Sequence, residues 1–193
     1  THYGCRRILD WPADIACLVD AVGGAGATFG IIALSGGAPY GLAVARALSH
    51  RVTHLALVSG HTPPDAPCVV RGNSDDAIEL IRKRPRLGRA GLNFTESLLD
   101  RKPDKAVELV TKKWTCADRK LVYCNRKLYR RLVANLAMST CCGAAGVQRD
   151  ITLLGSCWGF SVRSAACVPT SIWQGGCDRI VTPSMARYFH SQL

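Results

Sequence analysis

The sequence predicts an α/β protein in which a parallel sheet is flanked by helices and a helical segment is inserted into the chain. Two short apolar runs, "FGIIAL" at 29–34 and "THLALVSG" at 53–60, have the length and composition of buried strands. A helix-like segment separates them, and strand, helix and strand in succession are typical of a right-handed parallel crossover. A third strand-like run, "PTSIWQG" at 169–175, follows a long helical stretch.

The first element is predicted to be a helix over 11–22. Asp10 is a suitable N-cap, and Pro12 fits the first turn of a helix. Apolar residues recur at helical spacing, at Ile15, Leu18, Val19 and Val22. The cluster "GGAGA" then ends the helix.

The first strand, 29–34, consists of residues of the kind that are buried on both faces of a parallel sheet. Ser35 follows this strand on a glycine-flanked corner, and Pro39 opens a helix that runs to about Ser49. The second strand is predicted over 53–60. A tight corner of this kind forces one side chain out of ordinary strand or helix geometry, which is costly unless that side chain has a task.

The middle of the chain, 71–149, is predicted to be a basic helical domain, whereas 1–70 and 150–193 form the α/β core. The formal net charge is +11, and 18 Lys and Arg residues against 8 Asp and Glu residues fall between Arg71 and Arg149. The helical stretches are "DDAIELIRKR", "DKAVELVTKKW" and "ADRKLVYCNRKLYRRLVANLAM". The ordinary explanation of these charges is a solvated face, and an anionic surface or nucleic acid is the alternative. No nucleic-acid-binding motif accompanies the charges, so nucleic acid is not an expected partner.

The chain closes with a strand over 169–175, the turn "GCDRIVTP" and a helix over 183–192. No glycine-rich dinucleotide fingerprint or phosphate loop is present, so no cofactor is expected. The 10 cysteines lack the Cys/His spacing of zinc sites, so we expect no metal and free, buried thiols.

The apolar stretch 15–34 does not predict a membrane span. It contains Asp20 and a glycine cluster, and helix, turn and strand signals divide it more naturally. No run typical of a signal peptide precedes it, which favours a cytoplasmic location.

Ser35 meets the local requirements of a nucleophile. In Ala33-Leu34-Ser35-Gly36-Gly37, small residues beside the serine permit a sharp turn. The helix that follows directs its N-terminal N–H groups toward any negative charge that forms there. The five residues alone are a weak motif, and the strand-turn-helix context makes them more specific.

This arrangement resembles the nucleophile elbow of the α/β-hydrolase fold family, with Ala33 in place of the usual first glycine. "YGCRR…DWPADIACLVDAVG" resembles the segment before the elbow, and "RVTHLALVSGHTPP" the strand after the elbow helix. "DITLLGSCWGF…VPTSIWQGGCDRIVTPSMARYF" is similar to the return from the family's helical cap. The resemblance implies that 71–149 is a cap over a substrate pocket. A serine at the elbow, where family members that act as haloalkane dehalogenases or epoxide hydrolases carry aspartate, implies hydrolysis of a small ester, thioester or amide.

The resemblance also implies residue roles. Ser35 attacks a carbonyl, the backbone N–H of Gly36 is one oxyanion donor, and Asp178 is the acid that orients the base. The family's histidine base follows a further strand that the chain does not reach, and the first strands, with the second oxyanion donor, would precede Thr1. His61, just past the second strand, is a candidate substitute base; a solvated loop histidine is the alternative. Surface or packing roles are expected for the remaining histidines, His2, His50, His54 and His190.

Two functions therefore stay open. One is a serine hydrolase with a small ester-like substrate, and the other is a non-catalytic α/β-hydrolase-like binding protein or a truncated, inactive relative. The second hypothesis follows from the missing base and the missing oxyanion donor. Three strands also leave two exposed sheet edges, which an oligomer would cover.

Overall fold

The computed structural model describes residues 6–67, 72, 74–141 and 143–193, except for the side chain of Thr140. Within this part of the chain there are three strands and nine α-helices. The strands are β1 (Phe29–Leu34), β2 (Val52–Val58) and β3 (Thr170–Trp173). The helices are α1 (Trp11–Gly23), α2 (Ala38–Ala47), α3 (Asp75–Lys83), α4 (Pro85–Arg101), α5 (Pro103–Thr111), α6 (Cys116–Cys124), α7 (Arg126–Thr140), α8 (Ala144–Leu154) and α9 (Pro183–Gln192).

The sheet is parallel throughout, with the order β1-β2-β3, so the predicted α/β class is confirmed. Leu34 pairs with Val58, and Val58 pairs with Trp173, so the three strands end in register. The segments that follow the three strands therefore leave the sheet at one common edge. β1 and β3 are the outer strands of the sheet that the described residues form.

The described residues divide into two compact units. The first comprises those of 1–72, 153–176 and 181–193 and contains the sheet. The second comprises those of 73–152 and 177–180, and its regular secondary structure is helical. The turn that carries Asp178 groups with this second unit.

The core of the first unit lies on one face of the sheet. Leu42 of α2, Leu55 and Leu57 of β2, and Phe189 of α9 are fully buried there. On the opposite face Ile32 is 80%, Leu34 63% and Trp173 63% exposed. The prediction that 29–34 is buried on both faces is therefore wrong, because the helices of this unit pack against only one of them.

An ion pair fixes the end of α1 to the start of β2. The buried side chain of Arg51 donates from Nη2 to Asp20 Oδ1 over 2.6 Å and from Nε to the Ala27 carbonyl over 3.0 Å. The hydrogen bond from Arg51 lowers the pKa of Asp20. The loop that leads into β1 is thereby tied to the sheet.

In the second unit, the helix predicted over 117–138 is two helices. Asn125 interrupts it, and its side-chain oxygen accepts from the Leu128 N–H over 3.0 Å as the N-cap of α7. Helices α4 and α8 were not predicted from the sequence. Buried Gln148 of α8 holds these two helices together, accepting from Arg89 Nε over 2.7 Å and donating to the Pro85 carbonyl over 2.6 Å.

Seven cysteines lie in the described residues, and all seven are exposed, so the expectation of buried thiols is wrong for them. Cys17 lies on α1, Cys116 and Cys124 lie on α6, and the other four lie outside the helices. Cys5, Cys68 and Cys142 lie outside the described residues. None of the described helices is both long and apolar enough to cross a membrane.

Gly41 sets the distance between α2 and β1. A Cβ at this position would lie 2.6 Å from Ala33 Cβ, whereas a Cβ at exposed Gly91 in α4 would meet nothing within 4 Å. Gly41→Ala must push α2 away from the sheet, so we expect a net loss of about 1–2 kcal/mol in the free energy of unfolding. The matched change Gly91→Ala removes only a poor helix former and should add about 0.5–1 kcal/mol. Urea unfolding checks both values, and equal effects would contradict the close approach of α2 to β1.

Candidate active site

Ser35 lies at the corner between β1 and α2. It directly follows Leu34, the last residue of the strand, and opens a single 3₁₀ turn, Ser35–Gly37, that leads into the helix. Its φ is +51°, in the left-handed region that residues other than glycine rarely adopt. This backbone conformation costs a serine about 1–2 kcal/mol. The corner is therefore strained at the residue that the sequence marks as a candidate nucleophile.

Two hydrogen bonds hold this strained corner in place. The Ser35 carbonyl accepts from the Ala38 N–H within the 3₁₀ turn and from the His61 N–H over 3.1 Å. The second bond joins the corner after β1 to the segment after β2. Ala38 is fully buried, so the start of α2 is anchored in the core while the turn before it is only half-buried.

The turn provides a position where negative charge is favourable. The first N–H groups of a helix have no partner within the helix and carry partial positive charge, and Gly36 and Gly37 directly precede α2. A Cβ at Gly36 would make ordinary contact with Leu154 Cδ2 at 3.5 Å, and a Cβ at Gly37 would meet nothing within 4 Å. The turn is thus open on the side of Gly37.

His61 is buried beside this corner, with 5% of its surface exposed. Its Nδ1 lies 2.9 Å from the Thr62 carbonyl oxygen. Because a carbonyl only accepts, Nδ1 carries the hydrogen, and in the neutral imidazole the lone pair is then on Nε2. The backbone therefore fixes the tautomer in which Nε2 can accept a proton. The prediction of a solvated loop histidine is wrong, since the segment 60–63 is buried.

Asp178 lies in the second unit, in the turn after β3. Its Oδ1 accepts from the Ile180 N–H over 2.8 Å, a local bond typical of an aspartate-stabilised turn. In the same unit, Ser74 Oγ donates to the Ile180 carbonyl over 2.9 Å. Asp178 and the corner at Ser35 thus belong to different compact units.

A second serine, which was not predicted from the sequence, also has a left-handed backbone conformation. Ser59, directly after β2, has φ +45°, and its N–H donates to the Trp173 carbonyl over 2.8 Å. Ser59 also precedes a glycine, Gly60, but the residues that follow it up to Pro67 form no helix. It therefore lacks the helix N-terminus that follows Ser35. The dipeptide Ser-Gly, which follows both β1 and β2, was the signal that would have revealed it.

The other described histidines lie elsewhere. His50 and His54 are exposed, and His54 Nε2 lies 2.9 Å from Ser171 Oγ. His190 is exposed on α9, and His2 is outside the described residues. In the described part of the chain, no three His, Cys, Asp or Glu side chains are grouped so that they could hold a metal ion.

Comparison with known proteins identifies a similar fold. No protein-family model and no curated protein matches the sequence. The structure is similar to that of a thermophilic esterase from Thermogutta terrifontis, solved with malate bound, with a TM-score of 0.57 and 18% sequence identity. The match covers 98% of this chain and 61% of the esterase chain, so the protein spans less than two thirds of that esterase's length. The likeness shows a common α/β fold.

Proposed function

We propose that the protein is a serine hydrolase of the α/β-hydrolase type, in which Ser35 attacks the carbonyl of a small ester, thioester or amide. One observation carries this proposal: Ser35 is held in a left-handed conformation between a parallel strand and a helix. A strained serine at this place presents its hydroxyl at the carboxyl edge of the sheet. The fold shared with an esterase is consistent with this chemistry.

In the proposed reaction, Ser35 Oγ bonds to the carbonyl carbon as its proton passes to Nε2 of His61. The carbonyl π electrons move to the oxygen, which becomes an oxyanion. When that oxyanion collapses, the bond to the leaving alcohol, thiol or amine breaks, and the imidazolium returns the proton to the leaving group. Water then attacks the acyl-enzyme in the same way, and His61 again takes up and returns one proton.

The oxyanion is stabilised by the start of α2. The Gly36 N–H donates one hydrogen bond, and the partial positive charge at the helix N-terminus adds to it. Removing one such donor from a hydrolase typically costs 10²- to 10³-fold in turnover.

The resemblance to the hydrolase family gives Asp178 the place of the triad acid, but His61 has a partner of its own. The Thr62 carbonyl already occupies Nδ1 of His61, so the imidazole is oriented without a carboxylate. We therefore expect Asp178→Asn to lower kcat about tenfold, compared with about 10⁴-fold where a carboxylate alone fixes the tautomer. Steady-state kinetics distinguish the two values. A loss near 10⁴ with unchanged stability would assign the orienting role to Asp178.

Turnover of p-nitrophenyl acetate and butyrate tests the function itself. We expect hydrolysis above that of the buffer, with a burst of nitrophenol close to one equivalent of protein when deacylation is slow. A fluorophosphonate should abolish the reaction after modifying one site per chain. Turnover that survives complete modification would contradict a serine nucleophile.

A non-catalytic binding protein is the second candidate, and the uncovered sheet face favours it. Ile32, Leu34 and Trp173 expose apolar surface on that face, and such patches mark contact sites for other proteins. A second copy that covered the outer strands would form an oligomer. This candidate predicts no ester turnover at any substrate concentration, together with self-association that Ile32→Asp abolishes in sedimentation velocity.

A further inference from the structure

Helix α7 has a surface that the proposed hydrolase chemistry does not use. The helix packs against α4, α5 and α6 within the second unit. Leu128, Leu132 and Leu136 lie at helical spacing on its half-buried side. The sequence from 126 to 140 contains no acidic residue. Its outward side therefore carries only cationic and neutral groups.

Four exposed cations occupy the first half of this outward side, and we call Arg126, Lys127, Arg130 and Arg131 the basic face. Residues at i, i+1, i+4 and i+5 project from one side of a helix. Together with Ala134 they line a shallow cleft of about 460 Å³. In the described part of the chain, no carboxylate lies within ion-pair distance of any of the four. The Asp104 carboxylate accepts a hydrogen bond from the hydroxyl of Tyr129, which lies outside the basic face.

The second half of the same outward side is apolar. Ala134, Ala137 and Met138 continue the arc of the basic face toward the end of α7, and all three are exposed. Met138 has 72% of its surface in solvent. Cationic and apolar residues are thus separated along the helix axis on one exposed side.

We propose that this side of α7 docks the protein on an anionic lipid surface, with the basic face at the headgroup phosphates and Met138 at the acyl boundary. Unpaired arginines bind phosphates well because the guanidinium is a planar multiple donor. The phosphates of a nucleic acid continue at regular intervals and would meet the apolar second half of this side. That apolar half therefore favours a lipid surface over a nucleic acid. Single-stranded nucleic acids also require aromatic stacking platforms, and the rings of Tyr123 and Tyr129 lie against each other instead.

Vesicle co-sedimentation of the full chain tests this docking. We expect binding to phosphatidylcholine vesicles that contain about one third phosphatidylglycerol, and loss of binding as NaCl rises from about 50 to about 500 mM. Arg130→Gln/Arg131→Gln should weaken the partition coefficient about 25-fold, at about fivefold per cation. Met138→Gln should weaken it about fivefold, because only the apolar contact is lost.

Lys105→Gln/Lys120→Gln is the matched control. It removes the same charge from exposed positions on α5 and α6, and we expect less than about a threefold change. Equal losses in the two double variants would show that binding depends on the total charge of the protein and not on the basic face. Equal binding to vesicles of phosphatidylcholine alone would overturn the docking. So would tighter binding to single-stranded RNA that depends on Arg130 and Arg131. Circular dichroism confirms that each variant is folded before its partition is compared.

Discussion

Replacing Ser35 with alanine is expected to abolish ester hydrolysis, lowering kcat/KM by at least about 10³-fold. The loss should be this large because no other group can form the acyl-enzyme, so only the oxyanion donors and binding remain. The substitution removes one oxygen from a half-buried side chain and leaves the corner's two carbonyl hydrogen bonds intact. The measurement is the rate with p-nitrophenyl acetate, after subtraction of the buffer rate.

Ser35→Gly separates chemistry from folding at the same position. Glycine adopts a φ of +51° without the penalty that a Cβ imposes. We expect Ser35→Gly to be as inactive as Ser35→Ala and more stable than it by about 1 kcal/mol in urea unfolding. Equal stabilities would contradict the strain assigned to the corner. Full activity in either variant would contradict the nucleophile assignment.

Replacing His61 with asparagine is expected to lower kcat about 10³-fold while changing KM little. The amide N–H of asparagine can keep the hydrogen bond to the Thr62 carbonyl, but asparagine cannot accept a proton at neutral pH. His54→Asn is the matched control, because His54 is exposed on the sheet and should change the rate less than twofold.

Rescue by free imidazole gives this prediction a readout that a purely structural role would not produce. His61→Gly opens a cavity in the buried segment after β2, and added imidazole should restore part of the lost rate in a saturable manner. The same addition should leave His54→Asn unchanged. His61→Asn could lose activity while imidazole fails to restore any activity to a folded His61→Gly variant. That result would assign His61 a packing role and contradict its role as the base.

The strands were the most predictable part of the fold. "FGIIAL" became β1 over the predicted residues, because apolar strand formers are bounded there by glycines and a turn. Apolarity could not say which face of that strand is covered. Ile32 and Ala33 are both apolar, yet one is 80% and the other 4% exposed, and this difference depends on which helices pack against the sheet.

The helical unit was less predictable because its signals are weaker. Gly88 and Gly91 lower the helix propensity of the segment that became α4, and Gly88 is needed there, since a Cβ would lie 2.9 Å from Ile81 Cγ1. Asn125 is neutral in a helix interior and strongly favoured as an N-cap. The sequence is therefore compatible with one continuous helix or with two helices that meet at Asn125. The contacts of α6 and α7 with their neighbours favour two helices.

At the candidate site, the position of the serine in the fold could be predicted from the sequence, but the conformation and hydrogen bonds of the backbone could not. The position of Ser35 between strand and helix follows from the residue pattern. Its left-handed φ and the carbonyl of Thr62 that fixes the His61 tautomer are properties of the folded backbone. The burial of His61 likewise depends on segment 60–63 folding inward, which its one proline and one glycine did not indicate.

Mapping the fluorophosphonate adduct by peptide mass spectrometry tests the nucleophile most directly. Two serines at the carboxyl edge of the sheet share a left-handed backbone, and only one of them precedes a helix. We expect a single adduct on Ser35, formed faster in the wild type than in His61→Asn, and an unmodified peptide containing Ser59. An adduct on Ser59 or another residue, or no adduct under conditions that modify a known serine hydrolase, would contradict the assignment of Ser35.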